Sequence, residues 1–300
     1  MLLSRAFDRK AIAMQRQGRF GVHAPLMGQE AAAVGSVMAL DAADDWLVPT
    51  YREVLAMAMH GCTLRRIAAM YLGRAEAARI PDGVNVLPIA AALGTQLQHA
   101  VGLGWGLKLQ GRRSVVLVYF GEGAASEGDA HEAMNLAGVV RAPVVFFLQN
   151  NNWAISTPRA AQSAAPTLAA RARGYGFPGE QVDGNDVRAV HAATADAVQR
   201  ARDGEGPALI EALTYRLSFH NTTDDPSRYA DPSELEAARR HDPIEGLVEL
   251  IGAERRATLE TEAAAEVEAA IAWAQEQAPA RPESIFEHIW ASPFPVRGRS

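Results

Sequence analysis

Two uninterrupted apolar runs stand near the middle of the chain. Ser114-Val-Val-Leu-Val-Tyr-Phe120 and Pro143-Val-Val-Phe-Phe-Leu148 consist of β-branched and aromatic residues without polar alternation, the pattern of parallel strands covered on both faces. Between them the period changes. Ala130, Ala133, Met134, Ala137 and Val140 recur at helical spacing, so one stripe can pack against a sheet. Ser126-Glu-Gly-Asp129 supplies a helix start, with Ser126 as the expected N-cap, and Arg141 and Pro143 close it. The three segments predict one βαβ unit with neighbouring strands.

The same reading extends in both directions. Residues 1–17, 28–40 and 54–72 have helical spacing, and Trp46-Leu-Val-Pro49 is strand-like. Residues 95–109 form a further expected helix containing Gly102, Gly104 and Gly106. Small residues there indicate close backbone packing; the glycines lack the strand-to-helix context of a dinucleotide fingerprint. Glu180-Gln-Val-Asp183 predicts a short strand, residues 186–202 a helix stopped by Gly204 and Gly206, and residues 207–216 another strand. From Ser233 the composition shifts to Ala and Glu, with helical spacing clearest over residues 258–277. That tail is expected to pack on the core or on a partner. The fold class predicted is α/β, a mostly parallel sheet flanked by helices in one domain over residues 1–300. A helical segment over about 1–45 precedes it, and a helical C-terminal extension over about 233–300 follows.

Composition narrows the function classes. The 300 residues are 48% hydrophobic, ample for a core, and the net charge of −6 lacks the basic footprint of a nucleic-acid partner. Cys62 is the sole cysteine, which rules out an intramolecular disulfide or a cysteine metal cage and fits a cytoplasmic location; it is expected to be a buried small residue. Arg5, Asp8, Arg9 and Lys10 interrupt the first residues, so no secretory signal is expected there, and no stretch reaches the roughly 20 apolar residues of a membrane span.

Chemistry enters at the strand ends. The first run ends in Gly121-Glu122-Gly123 and the second in Asn150-Asn151-Asn152-Trp153, both at carboxyl ends, where open α/β sheets bind ligands. Magnesium takes octahedral oxygen ligands, one or two from protein and the rest from phosphate and water. Glu122, Asn151 and a backbone carbonyl near Trp153 meet that requirement, and the glycines with the following helix N-terminus favour a closely held anion. The plain alternative is a Gly-Glu-Gly turn and ordinary loop asparagines. Both motifs occur together, about the 30 residues of one βαβ unit apart, which favours the ligand reading.

At this point the residues resemble a known family. Tyr119-Phe-Gly-Glu-Gly-Ala-Ala-Ser-Glu-Gly-Asp129 followed by Gln149-Asn-Asn-Asn-Trp-Ala-Ile-Ser-Thr-Pro158 resembles the thiamine diphosphate motif of the alpha subunit in the decarboxylating component of 2-oxo acid dehydrogenase complexes. Arg16-Gln-Gly-Arg19, Gly28-Gln-Glu30, Pro49-Thr-Tyr-Arg-Glu53, Val182-Asp-Gly184 and the segment from Tyr215 to Tyr229 follow in the order that family predicts. The resemblance runs from about Arg16 to Pro243 and implies the thiamine diphosphate-binding fold.

It also implies roles. Tyr51 and Arg52 become diphosphate contacts, and Gly121, Glu122, Gly123, Ala124 and Asn151 cofactor-binding residues; Glu122, Asn151 and Trp153 become the magnesium set. Leu93 becomes the wedge under the cofactor's bend, with backbone near Ala91 meeting its pyrimidine ring; a core leucine is the competing reading. His220, in a polar loop past a strand end, becomes an active-site residue able to hydrogen-bond phosphate or move protons. Asn221 stands where animal members carry a phosphorylated serine, and Gln149 where some branched-chain members have an arginine contact to diphosphate.

By the same resemblance, the reaction is oxidative decarboxylation of a 2-oxo acid with reductive acylation of a lipoyl group. The cofactor supplies the chemistry and the protein the positioning. The partners implied are a beta subunit in an α2β2 assembly, which brings the pyrimidine-activating glutamate, and the lipoyl domain of an acyltransferase component. The chain alone is expected to be inactive. Ile80-Pro-Asp-Gly-Val-Asn-Val-Leu-Pro88 resembles pyruvate members, whereas Gly121-Glu122-Gly123-Ala-Ala-Ser126 and Thr223-Asp-Asp225 lean toward branched-chain ones. Pyruvate is the expected substrate, ahead of branched-chain 2-oxo acids and acetoin. Two further classes stay open: a non-catalytic assembly subunit that kept the fold, and another magnesium-dependent enzyme of phosphorylated substrates. The latter lacks a Walker lysine motif and an aspartate nucleophile motif here.

Overall fold

The computed structural model describes residues 1–89 and 91–287. The helices are α1 (Leu2–Arg16), α2 (Glu30–Val37), α3 (Val54–Met59), α4 (Leu64–Tyr71), α5 (Ala75–Ala78), α6 (Thr95–Leu109), α7 (Gly128–Val140), α8 (Arg159–Gln162), α9 (Val187–Arg202), α10 (Pro232–Arg239), α11 (Glu245–Ile251) and α12 (Ala253–Glu276). The strands are β1 (Trp46–Val48), β2 (Val116–Gly121), β3 (Val144–Asn150), β4 (Trp153–Ala154), β5 (Thr157–Pro158), β6 (Gly179–Asp183) and β7 (Ala208–Leu213).

Both apolar runs fold as expected, into adjacent parallel strands. The main sheet is ordered β1-β2-β3-β7-β6 and every pairing in it is parallel. Successive side chains of a strand point to opposite faces. Leu117, Tyr119, Val145, Phe147 and Ile210 therefore pack on one side, beneath α1–α4, α9 and α12, while Val118, Phe120, Phe146, Leu148 and Leu209 pack on the other, against α6 and α7. The segment Asn85–Leu87 lies along β1: Leu47 N–H donates to the Asn85 carbonyl and Leu87 N–H to the Leu47 carbonyl, at 2.9 Å each, so this edge is covered.

Several boundaries differ from the sequence reading. The helix expected over residues 54–72 is two, α3 and α4, because Gly61 adopts φ +108° and turns the chain between them. The helix expected from Gly28 starts at Glu30, since Gly28 has φ +89° and a Cβ there would lie 2.2 Å from the Tyr215 carbonyl oxygen. Ser126 does not cap α7. It sits in a 3-10 turn, Ala124–Ser126, where Ser126 N–H donates to the Gly123 carbonyl at 3.0 Å, and the cap position falls to Glu127. Of the three glycines of α6, Gly104 alone shows the expected close packing, with a Cβ there 2.9 Å from Val144; Gly102 and Gly106 have no such neighbour among the described residues.

The C-terminal tail packs on the core. Val267, Ile271 and Ala274 of α12 are buried among residues of α1 and α4. Residues 288–300 of the expected extension lie outside the described residues. Cys62 is buried and free, and no helix among the described residues is long and apolar enough to cross a membrane.

Candidate active site

The parallel sheet sends the ends of β1, β2, β3 and β7 to one side of the molecule, and a cavity of about 350 Å³ opens there. Tyr51, Arg52, Leu93, Gly121, Glu122, Gly123, Ala124, Asn151, Trp153 and His220 all line it. Ala91 is exposed and does not line it, whereas Leu93, 41% exposed, stands at the rim rather than in the core. Gly123 is required for a reason internal to the fold: a Cβ there would lie 2.9 Å from Ala154 Cβ, so the β4–β5 hairpin could not close against it.

Glu122 and Asn151 meet as adjacent parallel strand ends should. The Asn151 N–H donates to Glu122 Oε2 at 3.1 Å, and Glu122 is 2% exposed. Burial pushes its carboxyl up to about 7, against the opposing pull of its hydrogen bonds and of Arg52 and Arg216. The Asn151 side chain is oriented by two contacts: Nδ2 donates to Gln29 Oε1 at 3.1 Å, and Oδ1 accepts from the Trp153 N–H at 3.2 Å. Glu122 thus presents a buried carboxylate and Asn151 an amide oxygen, both hard donors. Among the described residues no three His, Cys, Asp or Glu side chains cluster, so a cation here would draw on one carboxylate with amide and carbonyl oxygens.

Arg52 is anchored by protein groups on both Nη atoms. Its Nη1 donates to the Pro25 carbonyl at 2.5 Å, and Nη2 reaches the His220 carbonyl at 3.2 Å and His220 Nδ1 at 3.3 Å. Both Nη atoms are therefore engaged inside the protein. Arg216, which the sequence reading did not single out, lies 3.4 Å from His220 Nδ1 through Nη1 and donates through Nη2 to Tyr229 Oη at 2.7 Å and to the Ile155 carbonyl at 2.8 Å. Burial together with the two guanidiniums lowers His220 to about 4, only partly countered by Asp224. The ring is neutral near pH 7. With donors facing Nδ1, its proton resides on Nε2.

The His220 loop is secured at both ends. His23 N–H donates to Thr222 Oγ1 at 3.2 Å, Thr222 N–H donates to the His23 carbonyl at 2.9 Å, and Leu217 N–H donates to the Met27 carbonyl at 3.1 Å. His23 itself is fully buried between Asp8 Oδ1 at 2.8 Å and Tyr71 Oη at 3.0 Å. Asp224 Oδ2 accepts from the His220 N–H at 2.7 Å and from Tyr229 Oη at 2.6 Å.

Three glutamines also line the cavity: Gln149, already singled out in the sequence, and Gln29 and Gln96, which were given no role there. Gln29, Gln96 and Gln149 are each at most 3% exposed, and one polar atom of each has no partner among the described residues: Gln29 Nε2, Gln96 Oε1 and Gln149 Oε1. Buried polar atoms without partners are costly, and such groups in a cavity fit a bound polar ligand. Asn152 (φ +71°) and Ile155 (φ +56°) hold left-handed backbone beside it; for a β-branched residue this is strain of the kind concentrated at ligand sites.

Comparison with known proteins places the chain in a family. Residues 1–286 match the family described as dehydrogenase E1 component. The chain is 43% identical over 244 residues to the 3-methyl-2-oxobutanoate dehydrogenase subunit alpha of Mycobacterium tuberculosis. It is 42% identical over 245 residues to the pyruvate dehydrogenase E1 component subunit alpha of Staphylococcus epidermidis and of Staphylococcus aureus. Each alignment covers 81% of this chain, and the chain spans 66% of the length of these relatives. The chain belongs to the dehydrogenase E1 component family.

Proposed function

We propose that the chain is the alpha subunit of a 2-oxo acid dehydrogenase that acts on pyruvate, with thiamine diphosphate and magnesium held in the cavity at the strand ends. The observation that carries this reading is the convergence of Arg52, Glu122, Asn151 and His220, from four separate segments, on one cavity of about 350 Å³. The residues fit the group: hard oxygens for a cation, arginine and amide donors for phosphate, and buried atoms awaiting partners.

In this reading Glu122, Asn151 Oδ1 and the Trp153 carbonyl hold magnesium, and Tyr51, Arg52 and backbone from Gly121 to Ala124 hold the diphosphate. Leu93 at the rim supports the bend of the cofactor, and the backbone near Ala91 is its pyrimidine contact once the partner closes the rim. His220, neutral and fixed by Arg52 and Arg216, offers Nε2–H as a donor. Thiamine diphosphate, when bound, supplies the carbanion-stabilising chemistry that releases carbon dioxide and passes the acyl unit to a lipoyl group. A beta subunit completes the centre in an α2β2 assembly, and a lipoyl domain is the acceptor.

The relatives' names support this class and divide on substrate: the staphylococcal ones act, by name, on pyruvate, and the mycobacterial one on 3-methyl-2-oxobutanoate. The second is the competing reading. Co-expression with the beta subunit, followed by assays of pyruvate, branched-chain 2-oxo acids and acetoin with thiamine diphosphate and magnesium, should give the highest kcat/KM with pyruvate. Preference for the branched acid transfers the assignment to the second reading, and no turnover by a correctly assembled complex refutes both.

A further inference from the structure

Glu53 is a buried carboxyl, 2% exposed, with each oxygen assigned a partner. Oε2 accepts from the Thr50 N–H at 2.8 Å and from Thr50 Oγ1 at 2.5 Å, and Thr50 Oγ1 in turn accepts from the Arg52 N–H at 3.2 Å. Oε1 accepts from Gln149 Nε2 at 2.5 Å, across from the turn after β1 to the end of β3. Burial raises the Glu53 carboxyl, against the pull of its Thr50 hydrogen bonds and of Arg52. The amide nitrogen of Gln149 faces Glu53, which leaves Oε1, the buried atom without a partner, as its free polar atom in the cavity wall. Phosphate oxygens are acceptors as well, so they cannot satisfy this free oxygen.

We infer that Gln149 is a ligand-recognition residue that accepts a hydrogen bond from an N–H or O–H donor of the bound cofactor unit, and that Glu53 is the positioning residue that turns its carbonyl oxygen that way. This rests on the proposed function. The donor chemistry has two sources, a water on the magnesium–diphosphate unit or an N–H on the organic part of the cofactor, and ligands with and without that part separate them.

Calorimetry on the cofactor-free αβ complex in magnesium, with thiamine diphosphate and with inorganic diphosphate as probes, tests the inference. Gln149→Met keeps the volume and removes the acceptor; it should weaken thiamine diphosphate by about tenfold, the worth of one hydrogen bond left unmade. A similar loss with inorganic diphosphate identifies bound water as the donor, and a loss confined to thiamine diphosphate identifies the organic part; both support the inference. Glu53→Gln carries a donor toward residue 149 and releases the amide to flip, so it should weaken binding in the parent and have no further effect in the Gln149→Met background, whereas a merely structural glutamate gives additive losses. Unchanged affinity in Gln149→Met, or additive losses in the double variant, overturns the inference while leaving the proposed function intact. Absence of thiamine diphosphate binding by the parent complex overturns both.

Discussion

At the residue scale, two side chains carry sharp expectations. Glu122→Gln should weaken magnesium-dependent binding of thiamine diphosphate by about 100-fold, because its buried carboxylate is the anionic member of the proposed magnesium set; unchanged affinity by calorimetry would remove Glu122 from that set. His220 has a folded value of about 4 against an ordinary 6.5. Between those values the unfolded chain holds a proton that the folded chain does not, so this group makes stability rise with pH across the window. Melting temperatures from pH 4 to 7 should therefore climb less steeply in His220→Asn than in the parent, and equal slopes would refute the buried neutral imidazole. Glu122 and Asn151 were legible because a strand end and a hard oxygen can both be read from a local run of residues. Arg216, Glu53, Gln29, Gln96 and the orientation of Gln149 were not. Their roles depend on which distant segment faces each polar atom, and neither periodicity nor a motif records that.

At the scale of elements, the two apolar runs and the helix between them were read almost to the residue, since long segments buried on both faces leave the strongest pattern. Breaks set by single backbone conformations were missed, as at Gly61 between α3 and α4 and at the 3-10 turn that displaces the cap from Ser126. Close packing of α7 supplies a test. A Cβ on Gly138 would lie 2.1 Å from the Tyr175 carbonyl oxygen, and backbone cannot yield as a side chain can; Gly138→Ala should cost about 1–3 kcal/mol in urea unfolding. Gly102, on α6, meets nothing within 4 Å. There Gly102→Ala should stabilise the purified chain by about 0.5–1 kcal/mol through helix propensity, and a loss of stability would contradict the free surface described.

At the scale of the whole molecule, adjacency in sequence revealed the pairing of β2 with β3 but not the insertion of β7 between β3 and β6. That placement brings the segment carrying Arg216 and His220 to the same side as Glu122 and Asn151. The tail's role was legible only as a choice between core and partner; burial of Val267 and Ile271 against α1 and α4 resolves it in favour of the core. Ile271→Ala should cost about 2–4 kcal/mol in equilibrium unfolding while leaving cofactor affinity unchanged at temperatures where the variant is folded. A selective loss of affinity instead would link α12 to the cavity.

The paired hydrogen bonds between His23 and Thr222 join positions 199 residues apart. During translation, Glu122 and Asn151 leave the ribosome well before the segment that returns to His23. A growing chain can therefore assemble the oxygen-lined floor of the cavity early, but its histidine wall has to wait for residue 222. The cavity is therefore completed by the late-emerging part of the chain.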